Sequence, residues 1–131
     1  MHAFRAAVET WNFEAIDELF ADDIVFWSPV AHKPYQGKTM VKIILQAVSQ
    51  VFEDFAYERE IGAEGAVDHA LVFHAKVDGL EIQGCDFLHV NEHGLIDEFT
   101  VMVRPLKAAT KLAEKMRVKY EEGMAAFAAQ Q

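Results

Sequence analysis

The residue best placed to do chemistry is Asp86, an acid set among Gly84, Cys85, Phe87 and Leu88. A carboxyl group in apolar surroundings loses hydration, and its pKa rises. Such a group donates a hydrogen bond to a developing oxyanion when protonated and removes a proton when ionised. The competing reading is an Asp bonded to a Tyr, a His or the backbone for structural reasons. His69 is the second candidate, as a base or as a partner that orients Asp86, against the more ordinary role of a hydrogen-bonded strand-end histidine. Ser28 is the third group of interest, a lone hydroxyl that ends an apolar run, Ile24 to Trp27, just before Pro29. It does not stand in a G-x-S-x-G turn, so a Ser-His-Asp triad is unsupported. No H-E-x-x-H, C-x-x-C or Asp-rich calcium loop is present, and "GAEG" lacks the strand–G-x-G-x-x-G–helix context of a phosphate loop. Neither a metal nor an organic cofactor is expected.

The elements that must position these groups follow from periodicity. Phe4, Val8, Trp11, Ile16, Leu19 and Phe20 recur at helical spacing, so residues 2–20 read as helix, broken near Asn12. Asp22-Asp23 punctuates, and Ile24–Trp27 reads as strand. A loop then runs through Pro29, Pro34 and Gly37. Thr39 is the expected cap of a helix over 40–52, with Val41, Ile44, Leu45, Val48 and Phe52 on one face. Strands are expected at 55–61, 67–77, 80–90 and 95–104, and a last helix at 106–128. A run of strands bracketed by helices predicts an α+β fold, with helices on one face of a curved antiparallel sheet.

Asp78-Gly79 is a strong two-residue hairpin signal and fixes a register. Val77 pairs with Leu80, Lys76 with Glu81, Phe73 with Gly84 and Leu71 with Asp86. Side chains alternate between faces, so His69, Leu71, Phe73, Asp86 and Leu88 share the inner face. The opposite charges of Lys76 and Glu81 support the count. Pairing Val90 with Leu95 adds Asp97, Phe99, Val101 and Val103 to that face; a bulge would bring Glu98, Thr100, Met102 and Arg104 inward instead. The outer face, with Val72, Cys85 and Phe87, is apolar enough to need cover. A homodimer through it is the economical expectation.

Composition narrows the function classes. The 131 residues suit one domain, and a net charge of −9 without a basic block argues against nucleic acid as a partner. Lys107, Lys111, Lys115, Arg117 and Lys119 alternate with Glu114, Glu121 and Glu122, the pattern of a solvated helix face. Arg59 and Arg104 clamp a carboxylate or, more economically in an acidic chain, pair with Glu. No apolar run approaches the ~20 residues of a membrane span, so no membrane is expected. The single cysteine, Cys85, and the lack of a signal-peptide pattern point to a cytoplasmic protein.

"NFEAIDELFADDIVFWSP", the Gly37 after the loop and "CDFLHVNEHGLIDEF" together resemble the nuclear transport factor 2-like superfamily. That superfamily includes SnoaL-like polyketide cyclases, limonene-epoxide hydrolase and ketosteroid isomerase. The resemblance covers nearly the whole chain, 1–131. It implies a single α+β domain: a cone-shaped, strongly curved antiparallel sheet, N-terminal helices on its concave face, a C-terminal helix and usually a dimer. Against ketosteroid isomerase, which is also a general reference case for a protonated Asp in an oxyanion hole, Asp86 matches the oxyanion-hole acid. The general-base position falls on Ser28 and the oxyanion-tyrosine position on Phe4. Limonene-epoxide hydrolase has an Asp–Arg–Asp arrangement; Asp86, Arg59 and Asp97 are its nearest counterparts, with Val101 where the aspartate belongs. The SnoaL-like cyclases, with one Asp as acid/base on an apolar substrate, fit best.

The expected function is a cofactor-independent acid/base enzyme of isomerase, cyclase or dehydratase type, acting on a small apolar carbonyl-containing molecule. Asp86 and His69 are its expected catalytic residues. Phe4, Trp11, Phe26, Ser28, Leu71, Phe73, Leu88, Asp97, Phe99 and Val101 are its expected pocket residues. The alternative is a non-catalytic ligand-binding or dimeric interaction domain of the same fold.

Overall fold

The computed structural model describes residues 2–130. The chain opens with two short helices, α1 (Ala3–Glu9) and α2 (Phe13–Leu19). Trp11 separates them with φ 49°. The Trp11 and Asn12 amides donate back to Val8 and Ala7 at 2.9 Å each. This is the Schellman closure, with a tryptophan in the left-handed position that glycine usually takes. Asn12 then caps α2, its side-chain oxygen accepting from Ala15 N–H at 3.1 Å.

Strand β1 (Phe20–Trp27) begins four positions earlier than its apolar run suggests. Phe20 and Ala21 are buried. Asp22 and Asp23 are exposed within the strand where its pairing with β6 shifts register, so they mark an irregularity rather than a turn. A short β2 (Tyr35–Gln36) folds back on β1. Gly37, with φ 96° and no side-chain capping bond, is the N-cap of helix α3 (Lys38–Ser49), so Thr39 lies inside the helix and not at its cap.

The remaining strands are β3 (Glu53–Ile61), β4 (Asp68–Val77), β5 (Leu80–Val90) and β6 (Ile96–Arg104), followed by α4 (Leu106–Ala129). Their order in one curved, unclosed six-stranded sheet is β2-β1-β6-β5-β4-β3. Every neighbouring pair is antiparallel except β1 with β6, which run parallel. The Asp78-Gly79 turn has φ values of 52° and 80°, as a type I′ hairpin requires. The β4–β5 register is the expected one throughout, with Leu71 opposite Asp86 and Lys76 opposite Glu81.

The β5–β6 register is more instructive. A shift between His89 and Val90 pairs Val90 with Ile96 instead of Leu95. Beyond it Leu88 faces Phe99 and Asp86 faces Val101, so Phe99 and Val101 do join the inner face. Asp97 does not. The bulge turns it outward, where its Oδ1 lies 2.7 Å from His89 Nδ1.

α1, α2 and α3 cover the concave face, and the main core lies between them and the sheet around Phe4, Ile24, Val41, Leu71 and Phe99. α4 closes the far side of this space. Its first turns pack Ala108 and Leu112 on Ala75, Val77 and Ile82.

Candidate active site

The concave face encloses a cavity of about 320 Å³. Its wall is aromatic and aliphatic: Phe4, Trp11, Phe26, Phe52, Phe55, Phe73 and Phe99, with Ile44, Leu45, Val48 and Val101. The loop residues Ser28 to Ala31 and the α4 residues Leu112, Ala113, Met116, Arg117 and Tyr120 complete it. An apolar hollow with few polar groups is the general form of a small-molecule site.

Asp86 reaches this hollow from β5. It is the buried charged side chain of the described core, 5% exposed. Tyr57 of β3, 4% exposed, donates its hydroxyl to Asp86 Oδ2 at 2.6 Å. Burial pushes the Asp86 carboxyl up to about 7, while the bond from Tyr57 pulls it down. The Tyr57 hydroxyl is itself raised well above its usual range, by burial first and by the Asp86 charge second. Tyr57 therefore stays neutral and serves as a donor.

Tyr57 is held by more than its side chain. Its amide donates to Glu9 Oε2 at 3.1 Å, and its carbonyl accepts from Arg5 Nη2 at 3.2 Å. Both partners belong to α1 and bond one another across 3.4 Å. β3 is an edge strand, and its pairing with β4 shifts just after Tyr57. The α1 side chains satisfy backbone groups that the sheet leaves open.

Of the residues expected in the pocket, Phe4, Trp11, Phe26, Ser28, Phe73, Phe99, Val101 and Asp86 line it together. Leu71 and Leu88 are instead sealed within the core at 0% and 2% exposure. Asp97 is carried away by the β6 bulge. His69 also lies outside: its Nε2 is 2.7 Å from Ala66 O, and its ring meets His2 edge-on at 4.9 Å. It shares the face of Asp86 by alternation but sits beyond the rim, beside the start of α1. Ser28 Oγ accepts from Val30 N–H at 3.2 Å, a local turn that consumes part of its hydrogen-bonding capacity. Among the described residues the cavity wall holds no histidine and no carboxylate other than Asp86.

Tyr57 is the partner that residue-type reasoning missed. Alternation along Phe55-Ala56-Tyr57-Glu58 puts Tyr57 on the apolar face with Phe55, so the signal was present. Arg117 is exposed, as expected of a solvated helix face, and also lines the cavity. Arg104 Nη1 donates to Gln83 Oε1 at 3.4 Å, away from the cavity.

The curved, unclosed sheet with helices on its concave face is the nuclear transport factor 2-like, ketosteroid isomerase-like fold. Within that class the chain belongs to the SnoaL-like family: the SnoaL-like domain matches residues 1–99. Two solved structures share about a third of the sequence. One is an uncharacterised protein conserved in bacteria, with a cystatin-like fold, from Silicibacter pomeroyi; it is 33% identical, with a TM-score of 0.83, over 92% of this chain and 91% of that one. The other is a steroid delta-isomerase from Pseudomonas aeruginosa, 35% identical, with a TM-score of 0.80, over 95% of this chain and 97% of that one. A nuclear transport factor 2-like protein from Burkholderia xenovorans shares the fold at 17% identity and a TM-score of 0.65, over 83% and 89% of the two chains. No curated protein matches the chain. No helix among the described residues is long and apolar enough to cross a membrane.

Proposed function

We propose that the protein is a cofactor-independent acid/base enzyme of isomerase, cyclase or dehydratase type, acting on a small apolar carbonyl-containing molecule. The observation that carries this reading is the Asp86–Tyr57 pair, buried in an apolar cavity and with the carboxyl raised to about 7. A general acid or base works best when its pKa lies near the working pH.

One carboxyl group suffices for a proton shift. On a β,γ-unsaturated carbonyl substrate, ionised Asp86 takes a proton from the carbon between the carbonyl and the double bond; the C–H pair moves into the conjugated dienolate, and the carboxyl becomes neutral. It then returns that proton to the γ-carbon, where the dienolate pair forms the new C–H bond and leaves the double bond conjugated with the carbonyl. Tyr57 bonds Oδ2 and so leaves Oδ1 for the substrate. The apolar wall keeps water from quenching the enolate.

The test is exchange of the α-protons of cyclic ketones and enones in deuterated water, followed by NMR. The wild-type protein accelerates exchange, and Asp86→Asn loses at least about a hundredfold of it. A ketone that binds beside Asp86 without any exchange sinks the enzyme reading. Among the described residues the deep wall holds one carboxyl group and no second base, which favours, as the second reading, a ligand-binding domain without turnover, and that outcome would support it.

The partner class on the same reading includes a second copy of the chain. Phe87, Met102 and Trp27 lie on neighbouring strands of the convex face and are 41%, 59% and 40% exposed. Pairing of two such faces removes this apolar surface from water. Light scattering checks it: the wild type runs as a dimer, and Phe87→Glu with Met102→Glu runs as a monomer.

A further inference from the structure

We infer that the ligand is an amphipathic organic acid, its apolar body filling the cavity and its carboxylate held at the mouth by Arg117. The deep end of this assignment rests on the proposed role of Asp86 and Tyr57; the mouth stands on separate observations. Arg117 and Asp86 are the charged side chains in the cavity wall. Asp86 is buried on β5, whereas Arg117 is exposed on α4, so they mark the inner and outer ends of one hollow.

Arg117 lines the cavity, is exposed, and leaves nearer partners unused. Glu114 and Glu121 stand three and four positions away along α4, where helical ion pairs form. Glu114 is taken by Lys111 at 3.1 Å. Neither acid bonds Arg117, and among the described residues the guanidinium has no hydrogen-bond or ion-pair partner. Its donors are therefore free for a ligand group at the cavity rim, and their planar fork suits a carboxylate. Among the described residues the other side-chain donors of the wall that are not committed to Asp86 are neutral, the hydroxyls of Ser28, Tyr35 and Tyr120 and the indole N–H of Trp11.

The charge of the whole chain sharpens the argument. A net charge of −9 repels anions at long range. A preference for an acid over its neutral ester is then a local property of the mouth.

Three naphthalene probes separate the two ends by fluorescence titration: 6-hydroxy-2-naphthoic acid, its methyl ester and 2-naphthoic acid. The hydroxy acid binds the wild-type protein about fivefold more tightly than the ester, a modest factor because Arg117 is exposed. The preference shrinks as salt is raised. Arg117→Gln brings the ratio of acid to ester affinity close to one. Equal binding of acid and ester by the wild type, or a preference that survives in Arg117→Gln, overturns the assignment. Failure of every probe to bind at millimolar concentration overturns it as well. Failure at the deep end reads differently: the hydroxy acid then binds no better than 2-naphthoic acid, while the acid–ester preference persists.

Discussion

The hydroxyl of Tyr57 sits 2.6 Å from Asp86 Oδ2, inside the hollow of the sheet and away from solvent. The two residues come from strands that are not neighbours, since β4 runs between β3 and β5. Their meeting is a product of sheet curvature. The bond stabilises the ionised carboxyl, so its removal by Tyr57→Phe raises the Asp86 pKa above its value of about 7. The ring is kept, and packing changes little. A carbon-13 NMR titration of the Asp86 carboxyl shows the midpoint moving up by about one unit. The pH midpoint of any activity that depends on Asp86 moves with it. An unmoved or lower midpoint contradicts the pairing.

The same carboxyl makes stability depend on pH. In the unfolded chain Asp86 ionises near 3.8; in the folded protein it holds its proton to about 7. Between these values the unfolded state binds fewer protons, so stability falls as pH rises. The loss is complete above the folded pKa and absent below the unfolded one. A shift of this size corresponds to at most about 4 kcal/mol. Asp86→Asn removes the titration and keeps an acceptor for Tyr57. Urea denaturation of both proteins therefore finds the variant gaining on the wild type by a few kcal/mol between about pH 4 and about pH 8. A constant difference across that range refutes the buried, raised carboxyl.

The hairpin of β4 and β5 was legible residue by residue, because a two-residue turn and a paired Lys76–Glu81 leave no freedom of register. That is why Asp86 was located correctly on the inner face. Asp97 was misplaced because one bulge, set by backbone pairing and not by side-chain type, reverses the alternation before Phe99. His69 shows a different limit. Alternation assigns a face but not how far along the strand the hollow extends, and His69 falls past its edge. Tyr57 was readable from the spacing after Phe55, yet its partner lies two strands away, which no local pattern encodes. Arg117 looked like one more charge on a solvated helix; only the docking of α4 over the cavity distinguishes it from Lys115 and Lys119.

Gly84 is required by a neighbour and not by its own backbone. It faces Phe73 across β4 and β5, and the Phe73 ring occupies the space that a Cβ on Gly84 would take. Phe73 in turn is part of the cavity wall. Gly84→Ala drives the ring off its site, and overpacking of this kind costs about 1–3 kcal/mol. Denaturation measures the loss, and ligand titration finds weaker binding because the wall has moved. The paired change Gly84→Ala with Phe73→Leu recovers part of the stability, since it vacates the contested space. A neutral Gly84→Ala contradicts the contact.

The clamp of α1 on β3 is a positioning device for Tyr57. Glu9 accepts from the Tyr57 amide at 3.1 Å and also holds Arg5, whose Nη2 reaches the Tyr57 carbonyl at 3.2 Å. Glu9→Ala strands a half-buried amide and leaves Arg5 held by Glu60 and the Tyr57 carbonyl alone, at a cost of about 1–3 kcal/mol. Glu9→Gln retains an acceptor in place and loses less than about 1 kcal/mol, the size of a partly exposed ion pair. Stability alone does not separate positioning from ordinary support. The Asp86 titration does: a Tyr57 that has loosened bonds the carboxyl less well, so its pKa climbs in Glu9→Ala and stays near about 7 in Glu9→Gln. Equal titrations in the two variants, with only their melting temperatures apart, reduce the clamp to a structural contact.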